Sequence, residues 1–258
     1  MKKIHTNRVD SFENWRVSKI SKYGLFNWVQ LNYDPETSDI ISLIFEEKSN
    51  GINKNIESYL LRTHKSHIIN FYDPTSRFYI KDISTLKDQI GLQLLTDINN
   101  DNRAYSYWNY RLKTKPQNCL TADVDSLEFT KHGITIIEAA QLFDTSSILN
   151  AIPHIFRTFN LRPNKVNPKQ YYSQYKYAKD IKAKSYILFH RINDNILDER
   201  SPVLLLENNE NFYNMLTFIL RLDRYSESVF LQKYSNYLAE NLIQFKNIDD
   251  AYEFIKSN

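Results

Sequence analysis

Glycine and cysteine are scarce in this chain of 258 residues, and each scarcity excludes a class of function. The 4 glycines form neither a G-x-G-x-x-G motif nor a Walker-type loop, so dinucleotide-binding and P-loop chemistry are excluded. The single cysteine, Cys119, excludes an intramolecular disulfide and a zinc site built from cysteines. No basic partner for this thiol is evident in the sequence, so we expect it to be inert.

Long apolar runs are also lacking. No stretch approaches the roughly 20 residues that a membrane-spanning helix requires. The first ten residues include lysines, but no apolar run follows them, so we expect no signal peptide. Apolar residues make up 42% of the chain and charged residues 24%, which is typical of a folded globular protein. The sequence therefore predicts a cytoplasmic protein without a membrane partner.

Aromatic residues and a mild positive charge are what the chain does have. With Tyr 18 and Phe 15, aromatic residues reach 14%, enough to fill a core with large rings. The formal net charge is +3, which is compatible with nucleic acid as a partner without requiring it.

The first hundred residues are predicted to form a small α/β domain that recognises a substrate or a partner protein. Alternating segments over 24–33 and 40–46 flank the turn-rich hexamer 34–39, which predicts a hairpin. The polar stretch 96–102 is the predicted linker to the rest of the chain. Further elements expected in this part are helices over 55–64 and 83–95 and a strand over 66–72.

Residues 101–258 are predicted to form a second α/β domain, with a mixed central sheet flanked by helices. Asn167 is a typical helix cap and Pro168 suits the first helical turn, so we expect a helix from there to about Ala183. The continuous apolar segment 185–190 predicts a strand in a sheet that is covered on both faces. The remaining expected elements are a helix over 104–112, strands over 124–129 and 134–138 joined by a turn at 130–133, and mostly helix over 209–258.

Two carboxylates are predicted to oppose each other in the hairpin around residues 130–133. In that register Asp125 faces Glu138 and Asp123 faces Ala140, and strand alternation puts all four side chains on one face. Like charges roughly 5 Å apart destabilise a sheet unless they share a proton or bind a hard cation. A Mg²⁺-type ion there could activate water for phosphodiester hydrolysis. A slip of one residue would move Glu138 to the opposite face.

The segments YWNYRL, TADVDSLEF and ITIIEAA resemble the PD-(D/E)XK, or restriction-endonuclease-like, nuclease superfamily. In that family a strand begins with a metal-binding Asp, and the next strand carries Glu or Asp, one intervening residue and a catalytic Lys. The resemblance, which covers about 104–206, implies that Asp125 and Glu138 bind Mg²⁺ or Mn²⁺ and that Asp123 is an accessory acid. It also implies hydrolysis of nucleic acid, with DNA favoured over RNA and the choice left open, in restriction, anti-phage defence, transposition or repair. Other subunits of a defence or mobile-element complex are then expected partners, and a homo-oligomer stays open.

The position of the family's lysine is occupied by Ala140. Three interpretations are open. The alanine is an engineered replacement of a catalytic lysine, or Gln141 or a lysine from elsewhere substitutes for it, or the protein is a natural pseudo-nuclease that binds without cutting. As written, with Ala140 in place of the lysine, this chain is expected to be catalytically crippled.

A basic face is predicted on the helix that follows Asn167. Lysines interleaved with an aromatic ring suit phosphate contact and base stacking, although such a face is more often simply solvated. The residues expected on this face are Lys169, Tyr172, Lys176 and Lys179, with Arg111 and Lys113 extending it, whereas Tyr171, Tyr175, Ala178 and Ile181 are expected to face the core.

Other interpretations compete with this one. Glu46-Glu47-Lys48 also follows an apolar strand, but the predicted hairpin register places Asn27, and no acid, opposite Glu46. His64 and His67 lack a third ligand nearby, which argues against a zinc site. The acids at 125 and 138 are alternatively surface residues of a non-catalytic binding or scaffold subunit, or of a plain protein-interaction module.

Overall fold

The structure is a computed structural model that describes residues 26–47, 66–69, 79–80, 120–130, 133–160, 167–193 and 196–258. The helices predicted over 55–64, 83–95 and 104–112, the linker at 96–102, and the candidate residues Arg111 and Lys113 lie outside the described residues. The chain is divided into two compact units, Met1–Leu127 and Glu128–Asn258. Among the described helices, none is long and apolar enough to cross a membrane.

The described part of the first unit is a five-stranded mixed sheet in the order β4-β3-β2-β1-β5. The predicted hairpin is confirmed, because β1 and β2 are antiparallel and Tyr33 pairs with Ile40. The Asp34 carboxylate accepts hydrogen bonds from the backbone amides of Glu36 and Thr37, which fix the turn and lower the pKa of Asp34. The strands are β1 (Phe26–Tyr33), β2 (Ile40–Glu47), β3 (Ser66–Ile69), β4 (Tyr79–Ile80) and β5 (Leu120–Val124).

The second unit is built on a mixed sheet in the order β11-β10-β8-β7-β6, with β9 beside β8. Its centre is the parallel pair β7 and β8, whose register runs without a shift from Thr135 opposite Lys184 to Leu142 opposite Arg191. The buried strand predicted over 185–190 is confirmed within β8. These strands are β6 (Ser126–Thr130), β7 (Gly133–Leu142), β8 (Lys184–Asn193), β9 (Ile196–Leu197), β10 (Val203–Glu207) and β11 (Ile243–Phe245).

Helices cover this second sheet. They are α1 (Ile148–Asn160), α2 (Pro168–Asp180), α3 (Glu210–Arg221), α4 (Glu227–Asn241) and α5 (Ile248–Ser257). The predicted start of α2 is confirmed, because the Asn167 side chain accepts a hydrogen bond from the Lys169 amide at 3.0 Å. The helix ends slightly earlier than expected, since Lys182 adopts a positive φ of 55° in this glycine-poor chain. The sequence prediction lacks α1, β10 and β11.

The core of the second unit lies between one face of the sheet and helices α1 to α4. Phe159 of α1 is at its centre, where its ring makes edge contacts with Phe189 of β8 and Phe212 of α3. Phe156 stacks on Phe230 of α4, with ring centroids 5.2 Å apart. Helix α5 contacts β10 and β11, and its buried residues lie outside this cluster. The aromatic content noted in the sequence therefore fills the helix-covered face.

Candidate functional site

Glu138 lies in β7, where its side chain is only 8% exposed. Two glutamines of α2 hold its carboxylate. Gln170 Nε2 donates a hydrogen bond to Glu138 Oε1 at 3.0 Å, and Gln174 Nε2 donates one to Oε2 at 2.8 Å. Each carboxylate oxygen therefore accepts one neutral amide, which fixes the plane of the carboxylate relative to the helix.

The two glutamines reach the carboxylate together because residues four apart lie on the same side of a helix. The sequence predicted that this side of α2 is apolar and includes Tyr175. Both parts of that prediction are wrong. Tyr175 is partly exposed and contacts the Tyr172 ring, whereas Gln174 and Tyr177 are fully buried. A pattern of apolar residues could not reveal this face of the helix, because its central contacts join the glutamine amides to the Glu138 carboxylate.

Burial of a carboxylate is costly unless hydrogen bonds replace its lost hydration. The amides of Gln170 and Gln174 do this at Glu138 without contributing a positive charge. Glutamine amides are neutral donors, so they replace hydration without neutralising a carboxylate. The arrangement is chemically suited to a divalent cation, for which buried carboxylates are typical ligands.

Comparison with protein-family models, curated proteins and solved structures finds no match for this chain. The evidence on function is therefore the arrangement of residues around Glu138.

Ala140 shares the face of β7 on which Glu138 lies, as the resemblance requires for the family's lysine. Its methyl group is 8% exposed and belongs to the core cluster that includes Leu142 and Phe189. Gln141 has the opposite orientation, next to His190 in the β7–β8 register. The regular strand alternation thus puts Gln141 on the face of β7 opposite to that of Glu138.

The two aspartates are placed differently from the prediction. The strand expected over 124–129 is interrupted at Asp125, a partly exposed bend between β5 and β6. Asp123 pairs with Gln30 of β1 in the first sheet, so the predicted pairing with Ala140 is wrong. The physical reason is that the chain leaves one sheet at this bend and enters the other. Asp125 belongs to the first unit, and Glu138 belongs to the second.

Metal-ligating side chains do not form a larger group in the part of the chain that the structure describes. No set of three or more His, Cys, Asp or Glu residues is gathered there. The competing motif lies on β2 between β1 and β3, where Glu46 pairs with Ile69, and Lys48 is outside the described residues.

The predicted basic residues lie on the side of α2 away from its two glutamines. Lys179 is exposed, and Lys169, Tyr172 and Lys176 are partly exposed. Sequence reasoning missed Gln170 and Gln174, although their spacing of four residues on a predicted helix was the available signal.

Proposed function

We propose that this chain is a Mg²⁺- or Mn²⁺-dependent nuclease that hydrolyses DNA phosphodiester bonds, with Glu138 as a metal ligand. The observation that carries the proposal is the buried Glu138 carboxylate held by the amides of Gln170 and Gln174. In a buried, low-dielectric position the attraction between a carboxylate and a cation is stronger than in water.

The remaining roles follow the family resemblance. The resemblance names Asp125 as a further ligand, but the site proposed here is the Glu138 carboxylate of the second unit, and Asp125 lies at a partly exposed bend of the first unit. A bound ion would polarise the phosphodiester and lower the pKa of a water molecule. Ala140 supplies no ammonium group to orient that water, so we expect the chain to bind metal and to cut DNA poorly.

A non-catalytic nucleic-acid-binding or scaffold subunit is the second candidate. It is favoured by the packing of Ala140, whose side chain is part of the apolar core cluster. An alanine packed in the core at position 140 fits a protein that never required a catalytic lysine there.

The metal site is tested by titrating Mn²⁺ into the protein and into Glu138→Gln, with bound ion measured by electron paramagnetic resonance. We expect the substitution to weaken binding at least tenfold, because it removes the charged ligand while preserving size. Glu207→Gln, at an exposed position of the same sheet, is the matched control and should bind like the parent. Equal binding by Glu138→Gln and the parent would remove Glu138 from the metal site.

The reaction is tested by restoring the lysine. We expect Ala140→Lys to cleave plasmid or single-stranded DNA with Mg²⁺, and to lose this activity with chelator or when Glu138→Gln is added. Ala140→Met, which adds similar length without charge, controls for the tolerance of this buried position. A folded Ala140→Lys protein that binds metal but does not cut would favour the non-catalytic subunit.

A further inference from the structure

Three tyrosines lie together on the side of α2 that faces away from Glu138. The Tyr172 ring stacks on Tyr213 of α3, with centroids 4.5 Å apart and an interplanar angle of 29°. Tyr175 contacts the same ring at 5.9 Å, and Lys176 Nζ lies 6.0 Å from its centroid. All three tyrosines are partly exposed, so they form a surface rather than part of the core.

Lysines of α2 lie on the same side of the helix as these rings. They are Lys169, Lys176 and Lys179, and Asp180 is the one acid of the helix. The neighbouring helix α3 has one acid in its first turn, the exposed Glu210. Lysines therefore dominate the charge beside the rings, which favours a polyanion as the ligand.

We propose that this surface binds an unpaired polynucleotide strand. We call it the α2 platform and define it by Lys169, Tyr172, Tyr175, Lys176, Lys179 and Tyr213. Lysines alone would suit any phosphate backbone, but rings can stack only on bases that are not already enclosed in a duplex. The combination therefore selects a single strand, with bases against the tyrosines and phosphates near the lysines. This inference rests on the proposed function, since it names the form of nucleic acid that the protein holds.

The α2 platform and the Glu138 carboxylate are separate sites. Gln170 and Gln174 point toward β7 from one side of the helix, and the platform residues lie on the other side of a helix about 10 Å wide. A polynucleotide strand bound to the platform is therefore not held by a metal ion at Glu138. Binding there should require neither Mg²⁺ nor Glu138.

The test is fluorescence anisotropy of labelled 20-residue oligo-dT, oligo-U and duplex DNA, measured with chelator present. We expect single strands to bind at least tenfold more tightly than the duplex. Tyr172→Leu/Tyr175→Leu should weaken single-strand binding about tenfold, since stacking contributes at that level for each base. Lys176→Gln/Lys179→Gln should weaken it and lower the dependence on salt concentration, because fewer counterions are released.

Matched controls are Tyr225→Leu, which removes an exposed tyrosine elsewhere, and Lys246→Gln, which removes a lysine beyond the platform. Both should bind like the parent, as should Glu138→Gln. Equal binding of the duplex, or unchanged binding by the folded tyrosine and lysine variants, would overturn the platform. Loss of metal binding or cleavage with intact single-strand binding would overturn only the nuclease proposal.

Discussion

Strand alternation predicts that Glu138 shares a face of its strand with Ala140, and the structure adds that this acid is buried. The amides that hold it could not be predicted, because a helix's rotation about its own axis depends on tertiary contacts. The prediction for Asp123 was wrong, because this residue pairs with Gln30 and not with Ala140. A local sequence pattern does not reveal where a chain passes from one sheet to another.

His190 gives a prediction at the residue scale. Burial lowers its pKa to about 4, because desolvation disfavours the imidazolium form. An unfolded histidine titrates near 6.5, so the unfolded state binds a proton between these values while the folded state does not. The free energy of unfolding should therefore fall as pH falls through this window, by about 2 kcal/mol between pH 7.5 and 5.

Urea unfolding at both pH values checks this. His190→Gln should lose most of the pH dependence, and His154→Gln, at a partly exposed position, should keep it. The pKa values of Asp144 and Asp198 are lowered below 3.8, so these carboxylates titrate outside the chosen window. An unchanged slope in His190→Gln would contradict the assignment.

At the scale of elements, the strongest sequence signals were local ones. The Asn167 cap with Pro168 located the start of α2, and the 34–39 hexamer located the first hairpin. α1 was missed although its buried positions, including Ile152, Ile155 and Phe159, follow helical spacing. Pro153 inside that helix conceals the pattern, since proline within a periodic segment normally argues against helix.

Helices α1 and α4 are joined by an ion pair that can be tested. Arg157 Nε and Nη2 donate to the two carboxylate oxygens of Glu227 at 2.7 and 2.9 Å. Both side chains are partly in solvent, so we expect Glu227→Gln to cost only about 0.5–1 kcal/mol of unfolding free energy. Glu240→Gln, on the exposed surface of α4, is the control and should cost less. The difference should shrink in 1 M salt; a salt-independent difference would argue against an electrostatic origin.

At the scale of the whole molecule, the chain forms two compact units, and the tryptophans and the described helices lie in different ones. All three tryptophans, Trp15, Trp28 and Trp108, belong to Met1–Leu127, and the five described helices belong to Glu128–Asn258. Sequence composition gave no boundary at this point, because the strand region 120–130 contributes to both sheets.

We expect tryptophan fluorescence and far-ultraviolet circular dichroism to report separate thermal transitions. Phe156→Leu, which removes a stacked ring from the second core, should lower the midpoint of the dichroism transition and leave the fluorescence midpoint within about 1 °C. Leu31→Ala, at a buried position of β1, should do the reverse. Equal shifts of both midpoints in either variant would show that the units unfold as one.

The parallel pairing of β7 with β8 also bears on how quickly the protein folds. Antiparallel neighbours can be joined by a short turn, but these two strands are separated in sequence by α1 and α2. The entropy of closing that long connection is lost before the pairing restores any stability, so we expect the central contact of the sheet to form late in folding. Until it forms, each strand exposes unpaired backbone N–H and C=O groups to other chains. We therefore expect the refolding rate, and the fraction lost to aggregation while refolding, to depend on how soon α1 and α2 dock.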